Sequence, residues 1–444
     1  MSARRSGSDM MFLYNILITL YFILTLPYYA VQMARRNRYR AGLKQRLGFY
    51  PPSVGQGIKG GRRIWFHAVS VGEVLAVMPL VQRVRAEMPD VQIVLSTVTL
   101  TGQGLAREKL GDGGLVIYFP LDMGFAVRRA MRAVAPDLIV VVETEIWPNF
   151  ICAVADKGIP IAIVNGRISD RSFPRYRFGR FLLKRLLSKV SVFSMQSDLD
   201  AQRIRAIGAP YGKIVATGNM KFDCEIAPGD DGSSRAIASS LGLNPGQDVI
   251  VAGSTHKGEE EIVLDAYRAV RDNGFEPILI VAPRHPERGA QVKTLLESMG
   301  ERCVLRSDMV PGKALPSGAV LVVDTIGELV NVYRLATVVF VGKSLVDGGG
   351  QNVIEPASMG KAVVFGPSMH NFREAAETLL ADKAAVQVGD GRELRDTLVR
   401  LFKDKEAREE MGRRAAESMA SSRGATQRNL EIIKKLLQTT ENTE

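Results

Sequence analysis

Two successive runs of one alternation constrain this chain more than any other feature. Short stretches rich in Val, Ile and Leu are each followed by a longer helical pattern. The first series predicts strands at 63–70, 91–98, 115–119, 137–143, 160–165, 190–195 and 213–217. The second predicts strands at 248–252, 276–282, 319–323, 337–341, 362–365 and 385–388. Apolar runs with little alternation suit strands buried on both faces, and helices between them make the parallel, doubly wound α/β sheet the expected arrangement. The intervening 228–244 turns to Gly, Asp and Ser before a helical stretch, as a linker would. The fold class predicted is α/β, with two Rossmann-like domains facing one cleft and ligands at the carboxyl ends of the strands. The expected division is an N-terminal segment 1–34, a first domain 35–227 and a second domain 228–444. The charged helical end, Arg392 to Leu437, either packs across the domain junction or forms a solvated amphipathic tail.

Ahead of the first strand, no charged residue occurs from Met10 to Ala34. That length can span a bilayer, which takes about 20 apolar residues. Arg35, Arg36, Arg38, Arg40, Lys44 and Arg46 follow it, against Arg4 and Arg5 before it, so the positive-inside rule puts the bulk of the chain in the cytoplasm. The expectation is an uncleaved N-terminal membrane anchor. A cleaved signal peptide and a helix lying in the interface are the alternatives, and Asn15 and Pro27 favour the latter. Gly55 to Gly60 matches G-x-G-x-x-G but precedes a strand instead of following one, so it reads as a connector. The net charge of +11 points to an anionic partner: phospholipid, nucleic acid or a phosphorylated small molecule. Cys152, Cys224 and Cys303 form no CxxC pair, which disfavours a disulfide framework, and the four histidines lack metal-ligand spacing.

Chemistry concentrates at the strand ends. Ser70-Val71-Gly72-Glu73 turns from strand to helix, and Glu73 on that first turn is a candidate general base, kept ionised by the helix dipole, or simply a favourable helix-start residue. Glu143-Thr144-Glu145-Ile146-Trp147-Pro148-Asn149 closes another strand; its acids and Trp147 either line the cleft or start a helix over the core. From Asn165 to Leu187, basic residues including Arg175, Arg177 and Arg180 interleave with Phe173, Tyr176, Phe178 and Phe181. That mixture suits a membrane surface or an acidic headgroup, nucleic acid being the weaker reading and a solvated basic helix the plain one. The D-x-D at Asp198 and Asp200 reads as a helix cap before it reads as a metal site. In the second series, Gly253-Ser254-Thr255-His256, Pro283-Arg284-His285, Asp324 to Leu329 and Gly348 to Pro356 all follow strands. Such turns offer N–H groups and a cation to a phosphate, while Asn352 and Glu355 can bond a sugar hydroxyl, so a nucleotide site is expected.

Together these stretches resemble the transferases of 3-deoxy-D-manno-octulosonic acid (Kdo). The resemblance is carried by W-F-H-A-V-S-V-G-E (Trp65 to Glu73), E-T-E-I-W-P-N (Glu143 to Asn149), G-N-M-K-F-D (Gly218 to Asp223), A-P-R-H-P-E-R (Ala282 to Arg288), D-T-I-G-E-L and G-G-Q-N-V-I-E-P-A. It implies the glycosyltransferase B fold, an inner-membrane anchor with catalytic domains facing the cytoplasm, a CMP-Kdo donor, a lipid A precursor as acceptor, and no metal or other cofactor. By motif, Glu73 would be the proton acceptor, with Glu143 and Lys221 as transition-state stabilisers. Pro283, Arg284, Gly327, Glu328, Leu329, Asn352 and Glu355 would touch CMP, beside the turn residues Ser254 and Thr255. The chemistry is consistent: inverting transfer needs a base on the acceptor hydroxyl opposite the leaving phosphate, and a metal-free site must neutralise that phosphate with protein groups. Rival readings are another nucleotide-sugar transferase or epimerase of this fold, and a non-catalytic nucleotide-binding membrane scaffold.

Overall fold

The first apolar run, Arg63–His67, shows how the sheet is built. Ile64 and Phe66 enter the core on one face and Trp65 the core on the other, all three without solvent contact. A computed structural model describes residues 11–12, 14–25, 42–55, 61–223, 231–243, 246–310 and 314–441. The chain divides into two units: residues 1–224 with 423–444, and residues 225–422.

In the first unit, β1 (Arg63–His67), β2 (Gln92–Thr97), β3 (Leu115–Tyr118), β4 (Leu138–Val142), β5 (Ile161–Gly166), β6 (Val192–Met195) and β7 (Ile214–Ala216) form one parallel sheet. Its order is β3-β2-β1-β4-β5-β6-β7, so the direction of winding reverses between β1 and β4. In the second unit, β8 (Val249–Thr255), β9 (Ile278–Pro283), β10 (Cys303–Leu305), β11 (Val320–Val322), β12 (Val338–Val341), β13 (Ala362–Phe365) and β14 (Ala385–Gln387) form a second parallel sheet. There the order is β10-β11-β9-β8-β12-β13-β14, reversing between β8 and β12. Every strand expected from the sequence is present, and β10 is an addition: a run of three residues at a sheet edge carries too little periodicity to be read.

The end of the chain departs from chain order. The helix Ala425–Glu441 belongs to the first unit, where Leu430, Ile433 and Leu437 complete the core around Ile64, Val77 and Val140. Asp223 fastens its start by accepting the N–H groups of Gly424 (2.6 Å) and Thr426. Asn429 accepts from Ser194 on β6 at 2.7 Å. A second domain running from 228 to 444 is thereby corrected: its last segment supplies a face to the first sheet.

Among the described residues no helix is long and apolar enough to cross a membrane. Residues 14–25 are helical; 1–10, 13 and 26–34 of the expected anchor lie outside the described residues, as do 56–60 of the glycine-rich connector. A membrane-spanning anchor therefore has no support in the described part of the chain.

Candidate active site

In an open parallel sheet, the reversal of winding leaves a crevice at the carboxyl ends of two adjacent strands. In the first unit those strands are β1 and β4, and the loops leaving them carry Glu73 and the pair Glu143 and Glu145. Glu73 lies on the first turn of the helix Val71–Glu87, behind the cap residue Ser70. Its carboxylate reaches back to accept the Val69 N–H at 2.7 Å and the Ser70 hydroxyl at 2.9 Å. Only 7% of the residue is exposed. Burial pushes its carboxyl above the ordinary range, the Val69 N–H opposes this, and the charge of Glu143 adds to the rise. Burial therefore works against the helix start, and the net effect on the Glu73 carboxyl is upward.

Glu143 has a left-handed backbone, φ 60°, uncommon for a residue with a side chain. Its carboxylate faces Lys221 at 3.8 Å, both side chains about a quarter exposed. Lys221 stands in the short helix Met220–Asp223, whose Met220 N–H donates to Asn165 Oδ1 at 2.9 Å, just beyond β5's centre. Glu145 is pushed up to about 7, first by burial and then by the charges of Glu73 and Glu143. Three carboxylates and one ammonium thus converge on this reversal point. The charges of Glu73 and Glu143 thus act on Glu145, and that of Glu143 on Glu73, which couples proton release from Glu73 and Glu145. The basic helices Phe173–Phe178 and Arg180–Leu187 belong to the same unit, with Phe178 and Phe181 largely exposed. Tyr176 lies close enough for the Glu145 charge to raise its hydroxyl, after burial.

Two sequence features prove structural. Trp147 packs against the core and meets Phe119 at 5.7 Å between ring centres. Ser197 caps its helix by accepting the Asp200 N–H at 3.1 Å, and buried Asp200 accepts from Ile168 N at 2.7 Å. Among the described residues, no group of three or more His, Cys, Asp or Glu side chains could hold a metal ion.

In the second unit, the expected turns lie at β8, β9, β11 and β12, four neighbouring strands of the sheet, but Gly253-Ser254-Thr255 form the irregular end of β8 itself. Ser254 has φ 56° and Gly327 φ 86°. Pro283 ends β9, and the N–H of exposed Arg284 donates to the Thr255 carbonyl at 3.0 Å, tying the ends of β8 and β9. Thr255 is corrected as a direct contact: it is fully buried, with its hydroxyl donating to Glu260 at 3.0 Å. Glu328 pairs with Arg306 at 3.1 Å; burial alone would raise its carboxyl, but the Thr325 hydroxyl and Arg306 hold it below the usual range. Leu329 opens the helix Leu329–Leu335. Asn352 Oδ1 caps the Ile354 N–H at 2.9 Å, and Glu355 is raised by burial, against a hydrogen bond from Asn352.

Sequence reading missed Glu259. This fully buried carboxylate accepts four backbone N–H groups, from His256 (2.9 Å), Lys343 (2.6 Å), Ser344 (2.9 Å) and Leu345 (3.1 Å). One side chain therefore fastens the loops after β8 and β12, on either side of the reversal. The run Glu259-Glu260-Glu261 signals only an acidic first turn.

Residues 41–224 match the family model described as 3-deoxy-D-manno-octulosonic-acid transferase (kdotransferase). A 3-deoxy-D-manno-octulosonic acid transferase of Haemophilus influenzae is 33% identical over 96% of this chain and 99% of its own length. One from Bordetella pertussis is 31% identical over 83% of this chain and 86% of its own. Among solved structures, UDP-GlcNAc 2-epimerase from Neisseria meningitidis aligns with a TM-score of 0.55 at 13% identity, over 85% of this chain and all (100%) of that one. MurG from Acinetobacter baumannii aligns at 0.51 and 14% identity, over 84% and 99%. These two likenesses show the glycosyltransferase B type of architecture and nothing of the reaction. Sequence identity along almost the whole chain goes further: with its carboxylates and Lys221 gathered where the first sheet reverses, the chain belongs to the 3-deoxy-D-manno-octulosonic acid transferase family.

Proposed function

We propose that this transferase moves Kdo from CMP-Kdo to a lipid A precursor with inversion at the anomeric carbon. The observation that carries the reading is the cluster of Glu73, Glu143, Glu145 and Lys221 in a chain of this family. The acceptor hydroxyl oxygen forms a bond to the anomeric carbon as the bond from that carbon to the CMP phosphate breaks. The electron pair leaves with the phosphate, and the hydroxyl proton passes to Glu73. A base with a raised pKa matches this task at neutral pH. Glu143 and Lys221 stabilise the charge that develops during transfer.

The donor lies on the second unit. Its phosphate takes N–H groups from the turn at Ser254 and charge from Arg284, with Pro283, Gly327, Glu328 and Leu329 around the nucleotide and Asn352 and Glu355 on its hydroxyls. Positive charge for the leaving group comes from the protein, without a metal ion. Arg175, Arg177 and Arg180 engage acceptor phosphates, the exposed Phe178 and Phe181 supporting a lipid partner over nucleic acid. The proposed location is the cytoplasmic face of the inner membrane, supported by the exposed Phe178 and Phe181 among the basic residues of their helices.

The test incubates the purified full chain with CMP-Kdo and tetraacylated lipid A precursor and weighs the lipid product. A lipid heavier by whole Kdo units, with matching CMP release, is expected. CMP-Kdo turnover without a heavier lipid would point to hydrolysis or isomerisation of the donor, and CMP binding without turnover to a scaffold; either overturns the reading.

A further inference from the structure

Asp122 occupies a position that none of the transfer roles explains. It is 2% exposed, in the loop after β3. Its carboxylate accepts the N–H groups of Asn149 at 3.0 Å and Phe150 at 2.8 Å, the first turn of the helix Pro148–Ala155. That helix begins directly after the loop bearing Glu143 and Glu145. The same carboxylate accepts the hydroxyl of Tyr14, from the N-terminal helical residues 14–25, at 2.8 Å. Beside it, Asn149 Nδ2 donates to the Asp122 carbonyl at 2.6 Å and to Asn15 Oδ1 at 2.8 Å. Two polar groups on the N-terminal helix therefore meet the two residues that fix the end of the carboxylate loop. A buried carboxylate stays only where its bonds are made, so this joint has one defined geometry.

The rest of the N-terminal helix faces outward with Ile16, Leu17, Leu20, Ile23 and Leu24, all exposed. Helix Pro148–Ala155 also packs on Arg180–Leu187, which carries exposed Phe181 and Leu182 among basic residues. Apolar side chains bordered by cations fit the surface of an anionic bilayer.

We infer that Asp122, with Asn149, is a positioning joint through which the N-terminal helix, seated on an anionic lipid surface, sets the posture of the Glu143–Glu145 loop. The inference rests on the proposed function, since it gives the joint a purpose at a lipid acceptor. Cutting the joint at Tyr14 and Asn15 leaves Asp122 on the N–H groups of Asn149 and Phe150, so the loop keeps its cap and loses its tie to the helix.

The experiment uses the full chain bound to vesicles containing phosphatidylglycerol, as wild type and as Tyr14→Phe/Asn15→Ala. Amide hydrogen exchange across 143–155 should rise about fivefold in the variant, the loss of one or two net hydrogen bonds, while exchange in 249–283 stays unchanged. Transfer to precursor embedded in vesicles should show KM raised about fivefold, and transfer to detergent-dispersed precursor should keep kcat within about twofold. Unchanged exchange across 143–155 overturns the joint. So does an equal loss of transfer in vesicles and detergent, which marks a general structural defect. A wild type without transfer in either medium refutes the proposed function, and the exchange measurement then decides the joint alone.

Discussion

Glu73 carries the sharpest expectation at the scale of single residues. Glu73→Gln keeps the shape and one acceptor oxygen but cannot take a proton. Transfer should fall by about 10²–10⁴. Stability should change by no more than about 1 kcal/mol, because the lost acceptor is offset by relief of a desolvated charge. Transfer rate and melting temperature, measured side by side, check both; near wild-type transfer would remove Glu73 as the base. Glu145 offers a pH test. Its folded-state value of about 7 lies above the ordinary 4.5, so the folded protein holds the proton more tightly than the unfolded chain. That contribution is complete below 4.5 and is lost as pH rises through 7. Glu145→Gln should therefore stabilise the first unit by roughly 1–2 kcal/mol at pH 8, allowing for partial solvent screening, and by almost nothing at pH 4. Denaturant titrations at the two pH values decide it. The placement of Glu73 and Glu143 beyond strand ends was legible from the sequence, because an apolar run followed by a polar turn marks where a buried strand stops. The burial of Glu73 was not, since it depends on how neighbouring loops cover it.

Among elements, the paired loops after β8 and β12 depend on Glu259. Glu259→Gln replaces one of two accepting oxygens by a donor, so two of four N–H groups lose their partner. Affinity for CMP should drop by about tenfold or more, each charge-assisted bond contributing about 1.5–3 kcal/mol. Calorimetric titration of the full chain measures this; unchanged affinity would mean that the loops hold their form without the carboxylate. Strand runs such as Leu138–Val142 declare themselves by composition, because a buried parallel strand needs apolar side chains on both faces. Glu259 and Asp122 do not, because their partners are backbone groups brought close only by the sheet order.

The whole molecule is divided differently from its sequence. Removing 423–444 takes Leu430, Ile433 and Leu437 from the first core, a loss on the order of 5 kcal/mol. Unfolding followed by hydrogen exchange should show the first sheet destabilised and β8 to β14 unaffected; equal destabilisation of both would contradict the division at Ser422. The alternation of strands and helices could not foretell this, since an amphipathic helix bears no label for the sheet it covers. The return of Ala425–Glu441 also fixes an order of events at the ribosome. Domains that emerge first usually finish folding first, at synthesis rates of about 5–20 residues per second. Here the β1 face of the earlier half stays uncovered until residues 425–441 have been made, by which point every strand from β8 to β14 already exists.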